Sequence, residues 1–409
     1  MDIIVNFHEL LKDFVGCNRN IIHTKVTKLT TPGENYMSDI FKINLKLKNN
    51  NDDDVIEDVH LVAKLVVTND FTGPTANLTK NEILFYEKIV PALESFQERY
   101  GVEFPRFFPK YVAGRINLNG SDVPDKDAVV VLEDLSEKGY ENIDRHIGFD
   151  LQEAKLILKD LAIFHSVPLA MRLLEPETYK SEILSNCHGF IPEFPKKDEK
   201  PDENRIDILT FLLKLFKSDE KYTHIIPIVT NFFKNLRNQI ENNTRKFFTY
   251  KPDTQFETMT HEDMWSNNTM QIRRNGKLIH NMFIDFQMVR SNTLFNDLIF
   301  FIVSSVQLKY LQENFDELIQ FYYENFSETL KRFGCFTSEY TYEKFMEALP
   351  KECQKGILQC TFMMVSVIFQ EKGIKSDIKS PVRFENVPLI AKEKVGFLFL
   401  EAVKRGWLA

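Results

Sequence analysis

The chain has 409 residues, a formal net charge of −8, 43% apolar and 27% charged residues. That composition excludes a disordered or fibrous chain, and the acidic balance argues against nucleic acid or an anionic membrane as partner, since both reward clustered Lys and Arg. At about 150 residues per domain, the length implies two or three domains, or two lobes sharing a cleft.

The five cysteines, Cys17, Cys187, Cys335, Cys353 and Cys360, are scattered, odd in number and form no Cys-x-x-Cys pair. They point to a reducing compartment rather than to a disulfide framework or a zinc site. The N-terminal MDIIVNFHELLKDF interrupts its apolar residues with His8, Glu9, Lys12 and Asp13, as an amphipathic helix does and a signal peptide does not. The most apolar run, Leu298 to Val306, falls far short of the ~20 residues of a membrane helix. A soluble, cytoplasmic protein is the expectation.

A strand is expected over Ile21 to Leu29, then a Pro32-Gly33 turn and a second strand from Ile40. The polar turn Gly33-Glu34-Asn35-Tyr36-Met37-Ser38 can fold over phosphates through backbone N–H groups and the Ser38 hydroxyl. With a single glycine, an ordinary hairpin loop fits as well. Asn49 to Asp54 reads as a solvated hairpin tip. The run HLVAKLVVT is a strand carrying Lys64 among apolar neighbours, and a buried ammonium is costly unless paired. The following NLTKNEILFYEKIVPAL offers a partner, as a helix with Thr79 as a candidate cap and Glu82 in its first turn. A strand lysine held by a helix glutamate is the arrangement that grips the α/β-phosphates in kinases. A snorkelling lysine and a dipole-compensating glutamate are the plainer alternative.

Tyr111 to Ile116 reads as a strand, and AVVVLEDLSEKGY gives a strongly apolar one that stops at Glu133-Asp134-Leu135. Strand patterns precede this point and helical patterns follow it. The boundary is therefore set here, with a nucleotide-binding lobe over 1–134 and a helical lobe over 135–409. From Asp150, DLQEAKLILKDLAIFHSV is a buried helix in which His165 is read as a packed group. Residues 194–205 form a charged, proline-marked loop, and helical patterns follow at 207–217 and 223–241.

The run HEDMWSNNTMQIRRNGKLIHNMFIDFQ, His261 to Gln287, carries the chemistry. It opens with His261-x-Asp263-x4-Asn268. Asn275-Gly276 marks a two-residue hairpin turn, because both central residues need positive φ. An apolar triplet then delivers Asp285. The hairpin would fold Asp285 back beside Asp263 and Asn268, an oxygen cluster suited to Mg²⁺. Phosphoryl transfer uses the same order, a catalytic-loop Asp, an Asn for one metal and an Asp-Phe for the other. Turn-satisfying Asx side chains and a helix-capping Asp285 are the plainer alternative. Trp265, four residues after His261, breaks a zincin pattern, and neither a G-x-S-x-G nor a P-loop is present. A glycosidase built on Asp263 and Asp285 would not require Lys64 and Glu82. Beyond this run, Asn296-Asp297 is read as the N-cap of NDLIFFIVSSV. The tail reads as further amphipathic helices rich in Phe and Tyr, which are helix core or the lining of an apolar, steroid-sized pocket.

The motifs LEDL, HEDMWSNN and FIDFQ, with DLIFF shortly after, resemble the ecdysteroid kinase-like (CHK kinase-like) family, found mostly in insects. GENYMSDIFKI resembles its nucleotide-loop segment and NEILFYEKIVPAL its equivalent of the kinase αC helix, so the resemblance spans almost the full length. It implies an α+β, two-lobed protein-kinase-like fold similar to choline and aminoglycoside kinases. It also implies ATP and Mg²⁺ as cofactors and a small molecule with a hydroxyl as substrate, an ecdysteroid or a xenobiotic alcohol. In that scheme Asp263 orients the acceptor hydroxyl and accepts its proton, while Asn268 and Asp285 hold metal. Lys64, fixed by Glu82, neutralises the α/β-phosphates, Asn35 and Ser38 lie in the nucleotide loop, and the backbone of Glu133 to Leu135 bonds adenine. His261 braces the loop, and Phe286-Gln287 in place of Phe-Gly implies no mobile activation loop. Glu262 departs from the family, whose members usually carry Gly there. A carboxylate beside Asp263 would raise its pKa by like-charge repulsion or disfavour nucleotide phosphates. The alternative is a non-catalytic kinase-fold protein that binds an apolar ligand or a partner, with Glu262 as its support.

Overall fold

The computed structural model describes residues 3–29, 38–50, 52–66, 77–188, 208–248, 255–369 and 384–408. Strands β1 (Arg19–Lys28), β2 (Ser38–Asn49), β3 (Asp52–Val66), β4 (Tyr111–Arg115) and β5 (Val129–Glu133) build one antiparallel sheet in the order β1-β2-β3-β5-β4. Alternation decides its faces. Ile43, Leu45 and Leu47 of β2, Leu61 and Ala63 of β3, and Val129 and Val131 of β5 all turn to one side. There they bury against Ile4, Leu11 and Val15 of the N-terminal segment. That segment is two short helices, Phe7–Leu10 and Lys12–Val15, rather than one continuous amphipathic helix. Lys64 is out of step with this set and occupies the other face, in register with Ile40 and Val130. The 49–54 tip is tighter than its polar run suggests, because Asn49 and Asp52 still pair. The charged 194–205 loop lies outside the described residues.

Behind the sheet, Asn77–Leu84 runs through a π-helical turn, Phe85–Ile89, into Val90–Arg99. Pro91 has no N–H for the Glu87 carbonyl four residues back, which gives the helix a reason to widen there. Thr79 lies inside this helix rather than capping it, and Glu82 falls past the first turn. Ile83, Phe85, Tyr86 and Ile89 join the core of the C-terminal helices and not that of the N-terminal segment.

The helix Leu151–Leu174 opens with a reciprocal cap, Asp150 accepting from the Glu153 amide and Glu153 from the Asp150 amide. It continues nine residues past His165 and packs along Leu308–Arg332. Phe295–Ser305 is buried along its whole length between these and the helices Gln354–Met363 and Leu389–Lys404. Two small ribbons stand where the helical body meets the sheet. One pairs β6 (Glu257–Thr260) with β9 (Arg290–Thr293), the other β7 (Thr269–Arg274) with β8 (Lys277–Phe283). The architecture is α+β, an antiparallel sheet followed by a mostly helical body. Among the described residues no helix is long and apolar enough to cross a membrane, and all five cysteines are free thiols.

Asp160, on the Leu151–Leu174 helix, is half-buried, with Asn281 Nδ2 at 3.4 Å. Burial pushes its carboxyl from 3.8 to about 7, against the Asn281 bond and the Lys159 charge. The folded value lies above the unfolded one, so ionisation opposes folding. The penalty is absent below about pH 4, grows between about pH 4 and 7 and is complete above that. Asp160→Asn should raise stability at pH 8 by about 1–2 kcal/mol and change little at pH 4. Thermal melts at the two pH values would test this; equal effects at both would contradict it.

Candidate active site

Lys64 Nζ lies 2.8 Å from Glu82 Oε2 and 2.5 Å from Asp285 Oδ1. Burial works against the ammonium, but the Asp285 and Glu82 carboxylates outweigh it and hold the pKa above the usual lysine value. The lysine is therefore paired rather than snorkelling. Glu82 is buried beneath it and also accepts a hydrogen bond from the Phe286 backbone.

The hairpin delivers Asp285 as its spacing predicts. Asn275 and Gly276 have φ of 52° and 74°, and β7 and β8 pair Thr269 with Phe283. The Ile284 amide then donates to the Asn268 carbonyl at 3.0 Å, which sets Asp285 beside Asn268. Asn268 Nδ2 donates to both the carbonyl and Oδ2 of Asp263, each at 2.8 Å. Asp285 adopts a left-handed backbone, φ 67°, and its side chain caps no helix. Asp263 is half-buried; burial first, and the Asp285 charge second, push its carboxyl up to about 7. Two carboxylates and the remaining amide oxygen of Asn268 make a hard-oxygen donor set. That set fits a cation such as Mg²⁺, which shares its shell with phosphate and water.

Asp297 organises this loop from behind. Its Oδ2 accepts the His261 amide at 2.6 Å and its Oδ1 the Glu262 amide at 2.8 Å. His165 Nε2 stands 3.0 Å from Oδ2, and His165 Nδ1 is 2.6 Å from the Tyr322 hydroxyl. Burial would raise Asp297, but His165 and the His261 amide more than reverse it and hold the carboxylate ionised. Asp297 is thus not the expected N-cap. Leu294 takes that place, and Asp297 sits fully buried in the first turn of Phe295–Ser305. The available signal was an acid immediately before the apolar run LIFF. His261 braces the loop, with Nε2 3.0 Å from the Ile284 carbonyl, and burial depresses its pKa.

Glu262 corrects an expectation. Its backbone is left-handed, φ 66°, and its side chain, 5% exposed, turns away from Asp263. Oε1 accepts from Thr260 Oγ1 at 2.7 Å and Asn292 Nδ2 at 2.8 Å, and Oε2 lies 2.7 Å from Arg290 Nη2. Gln359 Nε2 donates to its carbonyl at 2.5 Å. The rise in the Asp263 pKa comes from burial and Asp285, and Glu262 is not among its causes.

At the end of β5, the Glu133 amide donates to the Lys110 carbonyl at 3.0 Å and the Asp134 amide to the His60 carbonyl at 3.1 Å. The Lys110 amide bonds the Glu133 carboxylate at 2.8 Å instead of its backbone carbonyl. Leu135 is buried with Tyr140 and Met282, and Ile284 packs against the three. Asn35 lies outside the described residues; of Ser38, the backbone opens β2 and the side chain is outside them.

The model of the ecdysteroid kinase-like family matches residues 32–335. No curated protein matches the sequence. Similar solved structures include the GDP and kanamycin complex of APH(2″)-IIia, at 12% identity over 83% of this chain and 91% of that one, TM-score 0.33. Another is the GDP complex of wild-type aminoglycoside 2′-phosphotransferase-IIIa, at 14% identity over 84% and 85%, TM-score 0.35.

The Glu262 geometry gives a stability prediction. Glu262→Ala keeps the left-handed backbone and strands Arg290, and should cost about 2–3 kcal/mol. Glu262→Gly loses the same pair but relieves the backbone, and should be milder by about 1 kcal/mol. Denaturant midpoints of the two variants decide it, and an Ala variant as stable as wild type would refute the pairing.

Proposed function

This chain belongs to the ecdysteroid kinase-like family and is a small-molecule kinase, and from that premise we propose that it transfers the γ-phosphoryl group of Mg-ATP to a hydroxyl of an ecdysteroid or a xenobiotic alcohol. The observation that carries this reading is Lys64, pinned between Glu82 and Asp285 while Asp263 and Asn268 stand on the adjoining loop.

Mg-ATP, when bound, supplies the electrophilic phosphorus and a metal that neutralises phosphate charge. Asp263 orients the acceptor hydroxyl and takes its proton, with burial holding its carboxyl above the usual aspartate range. Asn268 holds the Asp263 carboxylate in one rotamer through Nδ2 and keeps Oδ1 for the metal. Asp285 is the second metal ligand. Lys64 places its charge at the α/β-phosphates, and Glu82 keeps it there. Adenine would meet the Glu133 carbonyl, which the Lys110 amide passes over, and the backbone of Leu135. Asn35 and Ser38 would meet the phosphates, as the family resemblance implies. The nucleotide-binding part is then 1–134 and the acceptor-binding part 135–409. Positioning and charge stabilisation supply most of the rate. The non-catalytic reading rested on Glu262, whose carboxylate is paired with Arg290 away from the site.

Asp263→Asn should lower γ-phosphate transfer by about 10²–10⁴-fold and leave Mg-dependent ATP binding intact. Lys64→Met should weaken the nucleotide binding itself. Calorimetry with Mg-ATP, and mass spectrometry for the gain of one phosphate across a panel of steroid alcohols and a metabolite extract, are the measurements. Unchanged turnover in Asp263→Asn would remove its role, and a wild-type protein that binds no Mg-ATP would remove the kinase reading.

A further inference from the structure

Asn81, the residue before Glu82, is 1% exposed, and its side-chain amide bridges three segments. Nδ2 donates to the Gln287 carbonyl at 2.9 Å and to the Val289 carbonyl at 2.7 Å. Oδ1 accepts the His188 amide at 3.0 Å. Both donors of the amide are therefore used on the chain leaving Asp285, and its acceptor holds the segment that follows Leu151–Leu174. One turn further along, Phe85 stacks on Phe286 with ring centroids 3.8 Å apart and 10° between planes, and Tyr86, Phe108 and Phe164 close around the same ring.

We propose that Asn81 is a positioning residue that fastens the Asn77–Leu84 helix to the Phe286–Val289 segment, so that Lys64, Glu82 and Asp285 stay assembled before nucleotide arrives. The inference rests on the phosphotransfer reading above. Lys64 cannot perform this fastening itself. Its ammonium pairs with both carboxylates, but when it turns to a phosphate with Glu82 still holding it, the Asp285 pair weakens and no shared cation then ties Asp285 to Glu82. The Asn81 bonds are neutral, directional and independent of that charge. They also reach the backbone just past Asp285, so the helix and the metal-side loop keep their spacing while the lysine changes partner. Removing the amide would take this partner from the Gln287 and Val289 carbonyls and the His188 amide, which a packed junction tolerates poorly.

Asn81→Asp keeps the shape but replaces both donors with an acceptor, and Asn81→Ala removes the group. Each should lower kcat about 10- to 100-fold, the range typical of a lost supporting contact, while the acceptor KM is unchanged. In a Glu82→Gln background the same substitution should add little, because the residue it positions is already disabled. Amide hydrogen exchange over 77–89 should quicken while the Leu151–Leu174 helix stays protected. A full, multiplicative loss in the Glu82→Gln background, or unchanged kcat with unchanged exchange, would overturn the proposal. If Asn81→Asp fails to fold, Asn81→Ala carries the test. If wild type neither binds Mg-ATP nor transfers phosphate, the phosphotransfer reading fails instead, and exchange over 77–89 decides the fastening by itself.

Discussion

An ammonium on the covered face of a sheet has to be met by negative charge, and the placement of Lys64 sets much of what surrounds it. Its two carboxylates come from elements with no sequence proximity, Glu82 from the helix behind the sheet and Asp285 from the end of the β7–β8 hairpin. At the effective dielectric of a protein site, a unit pair near 4 Å attracts by about 4 kcal/mol before the cost of desolvation, and losing one partner of a buried pair is costly, so the three segments are held to one spacing. The balance is still uneven. One cation faces Glu82, Asp285 and the neighbouring Asp263, and the surplus shows in the Asp263 carboxyl, which Asp285 helps to push up to about 7. A hard dication among these oxygens would remove that surplus, and this is the electrostatic basis for expecting one there.

The His261–Asn268 loop answers a different constraint, that of buried backbone. The amides of His261 and Glu262 point into the helical body, where Asp297 receives both. His165 keeps Asp297 ionised for the task, and Tyr322 orients His165. Aiming two successive amides at one carboxylate accompanies a left-handed Glu262, and such a residue throws its Cβ to the opposite side from its neighbours. Glu262 and Asp263, adjacent in sequence, therefore serve opposite sides of the loop. One braces β9 through Arg290, the other faces the site.

Which parts could be read from the sequence follows from the range of the interactions involved. The strands were legible because burial alternates with period two, and the hairpin because Asn-Gly supplies positive φ locally. Lys64 and Glu82 were legible because an isolated charge in an apolar run demands a partner, and the reach from Asp263 to Asp285 because the hairpin is short. Asp297 was misread, since the rule for caps sees a polar pair before an apolar run and cannot see two amides arriving from residues 261 and 262. The direction of Glu262 hangs on one φ angle that only the Asp297 contact explains. Thr79 resembles a cap because the apolar period becomes regular only after it, although the helix is already formed at Asn77. Asn81 carried no local signal at all, as its partners lie at residues 188, 287 and 289.

The distribution of apolar surface adds a mechanical consequence. The sheet has its own core with the N-terminal segment, whereas the Asn77–Arg99 helix buries its apolar side in the helical body, through Phe85, Tyr86 and Ile89. Moving the sheet relative to that body would disturb the Lys64 pairs and the place of Val130 in the helical core. It would leave the Phe85–Phe286 stack and the Asn81 bonds intact, because both join the helix to the Phe286–Val289 segment, which lies outside the sheet. Glu82 thus belongs mechanically with Asp285 and Asp263, although the chain places it among the strands. The contact exposed to such movement is the ion pair itself, and a charged ligand is the kind of group that can take over the lysine's side of it.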